Sequence, residues 1–234
     1  PQLDFKVSGA VNGDDEKINS AVKPSCDYVQ GMNVGSYDIN AVYTDGNYEV
    51  TVNKGTLTVK QKEITLTIEG SKTFDNTVWS GEIVADGVIS MDTFAGTAST
   101  KKVFGELPFT SADDFDIDFT ITRDGADKRE NYAVTFVCNV KINAIDLNVE
   151  ISQAFDGIYD GQNHLPEVTV GKTLTDNEVK ILFNGETIDK ILNQGTYNLC
   201  VSVTALGYND FSREVTVKIA KREIIVSADE EMTY

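Results

Sequence analysis

The sequence repeats itself along its length. Gly55-Thr56-Leu57-Thr58-Val59-Lys60-Gln61-Lys62-Glu63-Ile64-Thr65-Leu66-Thr67 lines up with Cys138-Asn139-Val140-Lys141-Ile142-Asn143-Ala144-Ile145-Asp146-Leu147-Asn148-Val149-Glu150. Both line up with Val215-Thr216-Val217-Lys218-Ile219-Ala220-Lys221-Arg222-Glu223-Ile224-Ile225-Val226-Ser227. Matched at Val59, Ile142 and Ile219, the copies lie 83 and 77 residues apart. Each reads as a strand, a few polar residues and a second strand opened by an acid: Glu63, Asp146 or Glu223. A unit of that size is small but can enclose one core.

Further landmarks keep the same order. An aromatic follows the second strand at Phe74, Tyr159 and Tyr234. Asn47-Tyr48 returns as Asn131-Tyr132, with the related Tyr208-Asn209 at the third site. Asn33-Val34-Gly35-Ser36-Tyr37-Asp38-Ile39 returns as Asn193-Gln194-Gly195-Thr196-Tyr197-Asn198-Leu199, and Asp113-Asp114-Phe115-Asp116-Ile117 is a degraded middle version. These landmarks predict a first module over 1–60 lacking its first strand, a second over 61–143 and a third over 144–220. Residues 221–234 read as the first strand of a following module. No Pro- or Ser-rich tether separates the units, so the junctions are expected to be short and stiff.

The modules are expected to be all-β. Val, Ile and Thr supply 66 of the 234 residues, against 25 Leu and Ala. Side chains branched at Cβ are stiff at χ1 and suit a pleated surface. In the third module Leu147, Val149 and Ile151 alternate with polar residues, as do Tyr197, Leu199, Val201 and Val203. Glu167–Val170, Val179–Phe183 and Glu214–Ile219 complete the strands, with a turn at Asn184-Gly185. Alternation of period two marks sheets with one buried and one wet face. The Gly-x-Tyr-x-[Ile/Leu] element fits the corner tyrosine of an immunoglobulin-type sandwich, which assigns Tyr37 and Tyr197 a structural role. Tandem immunoglobulin-like β-sandwich modules in an elongated array are the expected fold, with β-grasp-like modules the alternative.

The residues that carry a family likeness are Tyr159-Asp160-Gly161, the two Gly-Ser/Thr-Tyr corners, Asn47-Tyr48-Glu49-Val50 with Gly55–Val59, and Asn131-Tyr132-Ala133-Val134. On these the chain resembles the MBG/YDG-type repeats of large bacterial surface proteins, which are similar to other bacterial immunoglobulin-like domains. The second module departs most: Phe74-Asp75-Asn76 replaces Tyr-Asp-Gly, and about six extra residues separate Phe115 from Tyr132. The resemblance implies an extracellular, cell-surface or secreted spacer or adhesin segment and carries over no catalytic residues.

Charge and chemistry narrow the function further. With 20 basic and 37 acidic residues, the net charge is −17. Such a surface repels phosphate backbones and anionic lipid, so no nucleic-acid partner is expected. No apolar stretch approaches the ~20 residues of a spanning helix, so no membrane insertion is expected in this segment. Cys26, Cys138 and Cys200 are too sparse for a disulfide scaffold, and Cys138 reads as a small buried hydrophobe. His164, the one histidine, reads as a loop residue beside Pro166 and cannot build a triad alone. Three acidic clusters, Asp14-Asp15-Glu16, Asp113-Asp114-Phe115-Asp116 and Asp124-Gly125-Ala126-Asp127, are oxygen-rich, yet none follows the calcium-loop pattern, and they read as solvated loops. Trp79 reads as core or edge of the second module. No enzyme, cofactor, metal site or catalytic residue is expected, and no ligand-binding residue can be named.

Two readings follow. The chain is a stalk of three β units spanning somewhat over ~100 Å, or an adhesin module for mucin, glycan or host protein, with an exposed apolar or aromatic patch expected on the second unit. In addition, residues 221–234 of one molecule are expected to add as a strand to the first module of another, the alternative being a flexible tail.

Overall fold

The computed structural model describes residues 3, 5–105, 108–171, 174 and 177–228. Two compact units partition the chain. One comprises Pro1–Glu69, Ser80–Thr100 and Thr110–Asn139, and the other Gly70–Trp79, Lys101–Phe109 and Val140–Tyr234.

In the first repeat, α1 (Asp14–Ala21) precedes β1 (Lys23–Cys26), β2 (Gly35–Val42) and β3 (Gly55–Val59), which form one antiparallel sheet in the order β1-β2-β3. The helix departs from the all-β expectation. Asp14, Asp15 and Glu16 fill its first turn, where carboxylates are favoured by the helix dipole, and Ile18 is its buried residue.

The second repeat contributes β4 (Lys62–Thr73), β5 (Ser80–Glu82), β6 (Val84–Asp86), β7 (Thr93–Thr100), β8 (Phe115–Arg123), β9 (Ala126–Asp127) and β10 (Tyr132–Asn143). They make a sheet ordered β10-β4-β6 and another ordered β5-β7-β8-β9. Ile64, Leu66 and Ile68 of β4 are buried in alternation with less covered residues, as period two requires. The extra residues of this repeat have a definite shape. β8 turns at Asp124-Gly125, with φ of 49° and 81°, and returns as β9. Positive φ at both central residues is the hairpin-turn geometry that Asp-Gly favours. The stretch expected to be a solvated acidic loop is therefore a β-hairpin.

The third repeat contributes β11 (Val149–Ile151), β12 (Asp156–Ile158), β13 (Val168–Val170), β14 (Glu178–Phe183), β15 (Glu186–Thr187), β16 (Gly195–Thr204) and β17 (Phe211–Ala220). β11 and β13 pair antiparallel; the remaining strands run β12-β17-β16-β14-β15, with β12 parallel to β17. Asn184 and Gly185 both take positive φ and close the β14–β15 hairpin, as expected. Ile181, Ile191, Leu199, Val201, Val203, Val217 and Ile219 form the core, and Leu147, Val149, Ile151, Val168 and Val170 pack on it from the two-stranded sheet. This is a two-layer β module built from the alternation visible in the sequence.

Candidate functional site: the repeat ends and their junctions

The corner tyrosines behave alike. The Tyr37 hydroxyl donates to the Asn33 carbonyl at 2.6 Å, and the Tyr197 hydroxyl donates to the Asn193 carbonyl at 3.0 Å. In the second repeat Phe115 stands at the matching place and is buried.

A second repeated element joins a tyrosine to an aspartate. The Tyr48 hydroxyl donates to Asp14 Oδ2 at 2.8 Å and accepts from the Val11 N–H at 3.3 Å. The Tyr132 hydroxyl donates to Asp92 Oδ2 at 2.6 Å and accepts from the Ile89 N–H at 3.3 Å. Asp14 and Asp92 each also donate backbone N–H three residues back, to Val11 and Ile89. Sequence reading identified the tyrosines and missed the aspartates. The signal was present: Gly9 and Asp14 share the spacing of Gly87 and Asp92, and both glycines take positive φ. Gly171 and Asp176 repeat that spacing, with Asp176 outside the described residues.

In the second repeat this latch is elaborated. Arg123 Nε lies 2.6 Å from Asp92 Oδ1, whose side chain is fully covered. Burial pushes the Asp92 carboxyl up, but the hydrogen bonds from Arg123 and Tyr132 outweigh it and hold it below its ordinary value. Burial, then the bond to Asp92, pushes the Tyr132 hydroxyl above its usual range. Arg123 Nη1 also donates to the carbonyl of Gly31, in the first repeat.

The first junction is completed by the stretch between β9 and β10. Lys128 Nζ donates to Asn33 Oδ1 at 2.8 Å, and Asn131 Nδ2 donates to the same oxygen at 3.2 Å. The Val34 N–H donates to Asn131 Oδ1 at 2.8 Å. Asn33 thus receives its own corner tyrosine on its carbonyl and the next repeat on its side chain. Asp127 pairs with Arg129, which lowers the carboxyl to about 2.

The second junction is aromatic. Phe74 packs edge-on against Phe104 and against Tyr208 of the third repeat, with ring centroids 5.6 Å apart in both cases. A Cβ on Gly207 would lie 2.4 Å from the Phe74 ring, and Gly207 holds φ of +80°, so only glycine fits. The Phe74 N–H donates to the Asn143 carbonyl at 2.9 Å, and the Tyr159 N–H donates to the Ala220 carbonyl at 2.9 Å. Tyr159 therefore occupies in the third repeat the place of Phe74 in the second. Tyr234, the third aromatic of that series, lies outside the described residues.

The other singled-out residues fall apart from one another. His164 stacks on Phe155 with centroids 3.5 Å apart and bonds Asp160 at 2.8 Å. Trp79 is buried and lies against Gly70. Cys138 is buried, and burial followed by the nearby Asp114 pushes its thiol up. Cys26, Cys138 and Cys200 form no disulfide. Ser111 accepts from the Asp113 N–H, so the Asp113-Asp114 stretch is a capped turn. Among the described residues, no three His, Cys, Asp or Glu side chains converge as metal ligands, and no helix is long and apolar enough to cross a membrane. An open groove of about 520 Å³ on β5, β7 and β8 is lined by Ser80–Glu82, Thr97–Ser99 and Asp116–Asp118, with no aromatic side chain.

These features belong to a mostly β chain whose several sheets are consistent with tandem β modules. Residues 1–58 match the family model of the MBG domain (YGX type). MBG domains are non-catalytic structural modules typical of bacterial surface proteins. No curated protein matches the sequence.

Proposed function

We propose that the chain is a non-catalytic stalk or spacer segment of a large bacterial surface protein, working outside the cell. The observation that carries this reading is the direct bonding between consecutive repeats. Lys128, Asn131 and Arg123 hold Asn33 and Gly31 at one junction, and Gly207–Tyr208 seats on Phe74 at the other. A flexible tether fixes neither position nor direction, whereas junctions that bury side chains and pair polar groups resist bending. The strong negative charge supports the reading by keeping such a segment soluble. The groove on β5, β7 and β8 offers a ligand no aromatic platform, which favours the spacer over a glycan-binding module.

Small-angle scattering of the full chain tests this. Three units in line predict a maximum dimension over ~100 Å. Replacing Asn33 and Lys128 together by alanine should broaden the distribution of shapes without unfolding the repeats. A compact globule for the parent chain overturns the proposal.

A further inference from the structure

The second and third repeats carry the same turn with its partners exchanged. Phe74-Asp75-Asn76-Thr77 matches Tyr159-Asp160-Gly161-Gln162 at a spacing of 85 residues. Asn76 and Gly161 both take positive φ, 63° and 81°. The N–H two residues after each aspartate donates to its Oδ1, from Thr77 at 3.0 Å and from Gln162 at 2.9 Å. Such a turn fixes the carboxylate in place and leaves its charge to be met by another side chain.

In the second repeat that side chain is Lys72. Its Nζ lies 2.9 Å from Asp75 Oδ1 and donates to the carbonyls of Thr77 and Val78. The bonds from Lys72 and then Thr77 bring the Asp75 carboxyl down to about 2. The ring beside this turn is Trp79, which is buried across Gly70. In the third repeat three positions change together: Gly157 stands for Lys72, Phe155 for Gly70 and His164 for Trp79. A Cβ at Gly157 would lie 2.6 Å from the Phe155 ring, so a side chain there displaces that ring. The His164 ring stacks on Phe155, centroids 3.5 Å apart and planes 15° from parallel, with Nε2 2.8 Å from Asp160 Oδ1. One imidazole thus takes on two tasks that Trp79 and Lys72 divide.

The loop is also fastened to the core. The His164 N–H donates to the Ile191 carbonyl at 3.0 Å, and Asn163 Oδ1 accepts from the Ile191 N–H at 2.8 Å and the Leu165 N–H at 3.1 Å. Ile191 belongs to the core of the third repeat.

We propose that the Asp160–His164 pair is an acid-tightened clamp on the 159–165 loop, the titratable counterpart of the Asp75–Lys72 pair. A carboxylate only accepts, so Nε2 keeps its proton in both charge states of the ring. What changes is whether the ring is also cationic. As imidazolium it meets Asp160 with charge and lays that charge on the face of Phe155; as neutral imidazole it keeps a plain hydrogen bond. The ring is 11% exposed, which keeps water from screening it on most sides. The Gln162 N–H, and after it the His164 ring, hold the Asp160 carboxyl below its ordinary value. The other charged groups around the loop are Asp156 beside Phe155, which Lys218 approaches at 3.9 Å, Asp189 and Lys190 beside Ile191, and Arg222, which donates to the Tyr159 carbonyl at 3.5 Å. The added hold is present on the acid side of the imidazole range and is lost as pH rises through it. This inference does not depend on the spacer reading.

Hydrogen exchange of the whole chain, followed by NMR at the Ile191 and Thr77 amides, tests it. The protection factor at Ile191, corrected for the intrinsic pH dependence of exchange, should be about fivefold higher at about pH 5 than at about pH 8. Thr77, on the lysine-held turn, should show no such difference. D160N keeps an acceptor for the Gln162 N–H and should cancel the difference at Ile191. H164Q should cancel it as well. Equal protection of Ile191 at the two pH values in the parent chain overturns the proposal, as does a difference that survives D160N or H164Q. A matching rise at Thr77 overturns it too, since acid would then act on both turns alike.

Discussion

The Tyr37 hydroxyl bonds the carbonyl of Asn33, while the side chain of that same Asn33 is bonded by Lys128 and Asn131 of the next repeat. One residue therefore belongs to a fold-defining corner and to a junction. Removing the tyrosine hydroxyl should be felt at both. Tyr37→Phe and Tyr197→Phe each lose one side-chain-to-backbone bond, worth about 1 kcal/mol. Thermal unfolding should show similar losses for the two variants, and only Tyr37→Phe should also loosen the first junction in scattering.

Asp92 is the buried centre of the second repeat's latch, and its loss takes the acceptor from Arg123 Nε and from the Tyr132 hydroxyl. Asp92→Ala should cost about 3 kcal/mol, the scale for breaking a buried pair on one side. Chemical denaturation gives the number. Asp14→Ala, whose tyrosine latch lacks an arginine, should cost less.

The same carboxylate predicts an acid response. Its folded-state pKa lies below its unfolded value. Its contribution is therefore complete above the ordinary carboxylate range near ~4 and is lost as pH falls through the lower, folded value. Melting temperature followed from neutral to acid pH should fall in that window. Asp92→Asn should flatten part of the fall.

Gly207→Ala places a methyl in the Phe74 ring at a positive φ. The clash and the backbone strain together should cost about 2–3 kcal/mol. Phe74→Leu in the same chain should relieve the clash and leave the strain of about 1 kcal/mol. Calorimetry of the single and double variants separates the two.

Thiol reactivity should be unequal. Cys138 is buried with its thiol pushed up, so it should resist alkylation until the protein unfolds, while Cys26 and Cys200, both half-exposed, should react in the native state. Mass spectrometry after timed labelling checks this.

Much of this architecture could be read before any coordinates. Strands of the third repeat announced themselves by alternation, because a sheet with one wet face writes its period into the sequence. The corner tyrosines were legible because their partner carbonyls lie only four residues upstream. The helix Asp14–Ala21 was not, since three leading acids suit a helix start as well as a solvated loop. Least legible were the junction bonds. Lys128 and Asn131 meet Asn33 across more than ninety residues, and nothing local in either segment names the other. The Asp124-Gly125 turn was visible as a dipeptide, but that its hairpin serves a neighbouring repeat is a property of three-dimensional placement.

The two junctions are built from different chemistry. Of the residues that grip Asn33, Lys128 falls in the stretch the second repeat carries in excess and Asn131 belongs to the recurring Asn-Tyr pair, while the socket that receives Gly207 is shaped by a phenylalanine where the third repeat has tyrosine. The first junction is a polar grip on Asn33, and the second is an aromatic seat for Gly207. The two couplings are therefore not interchangeable.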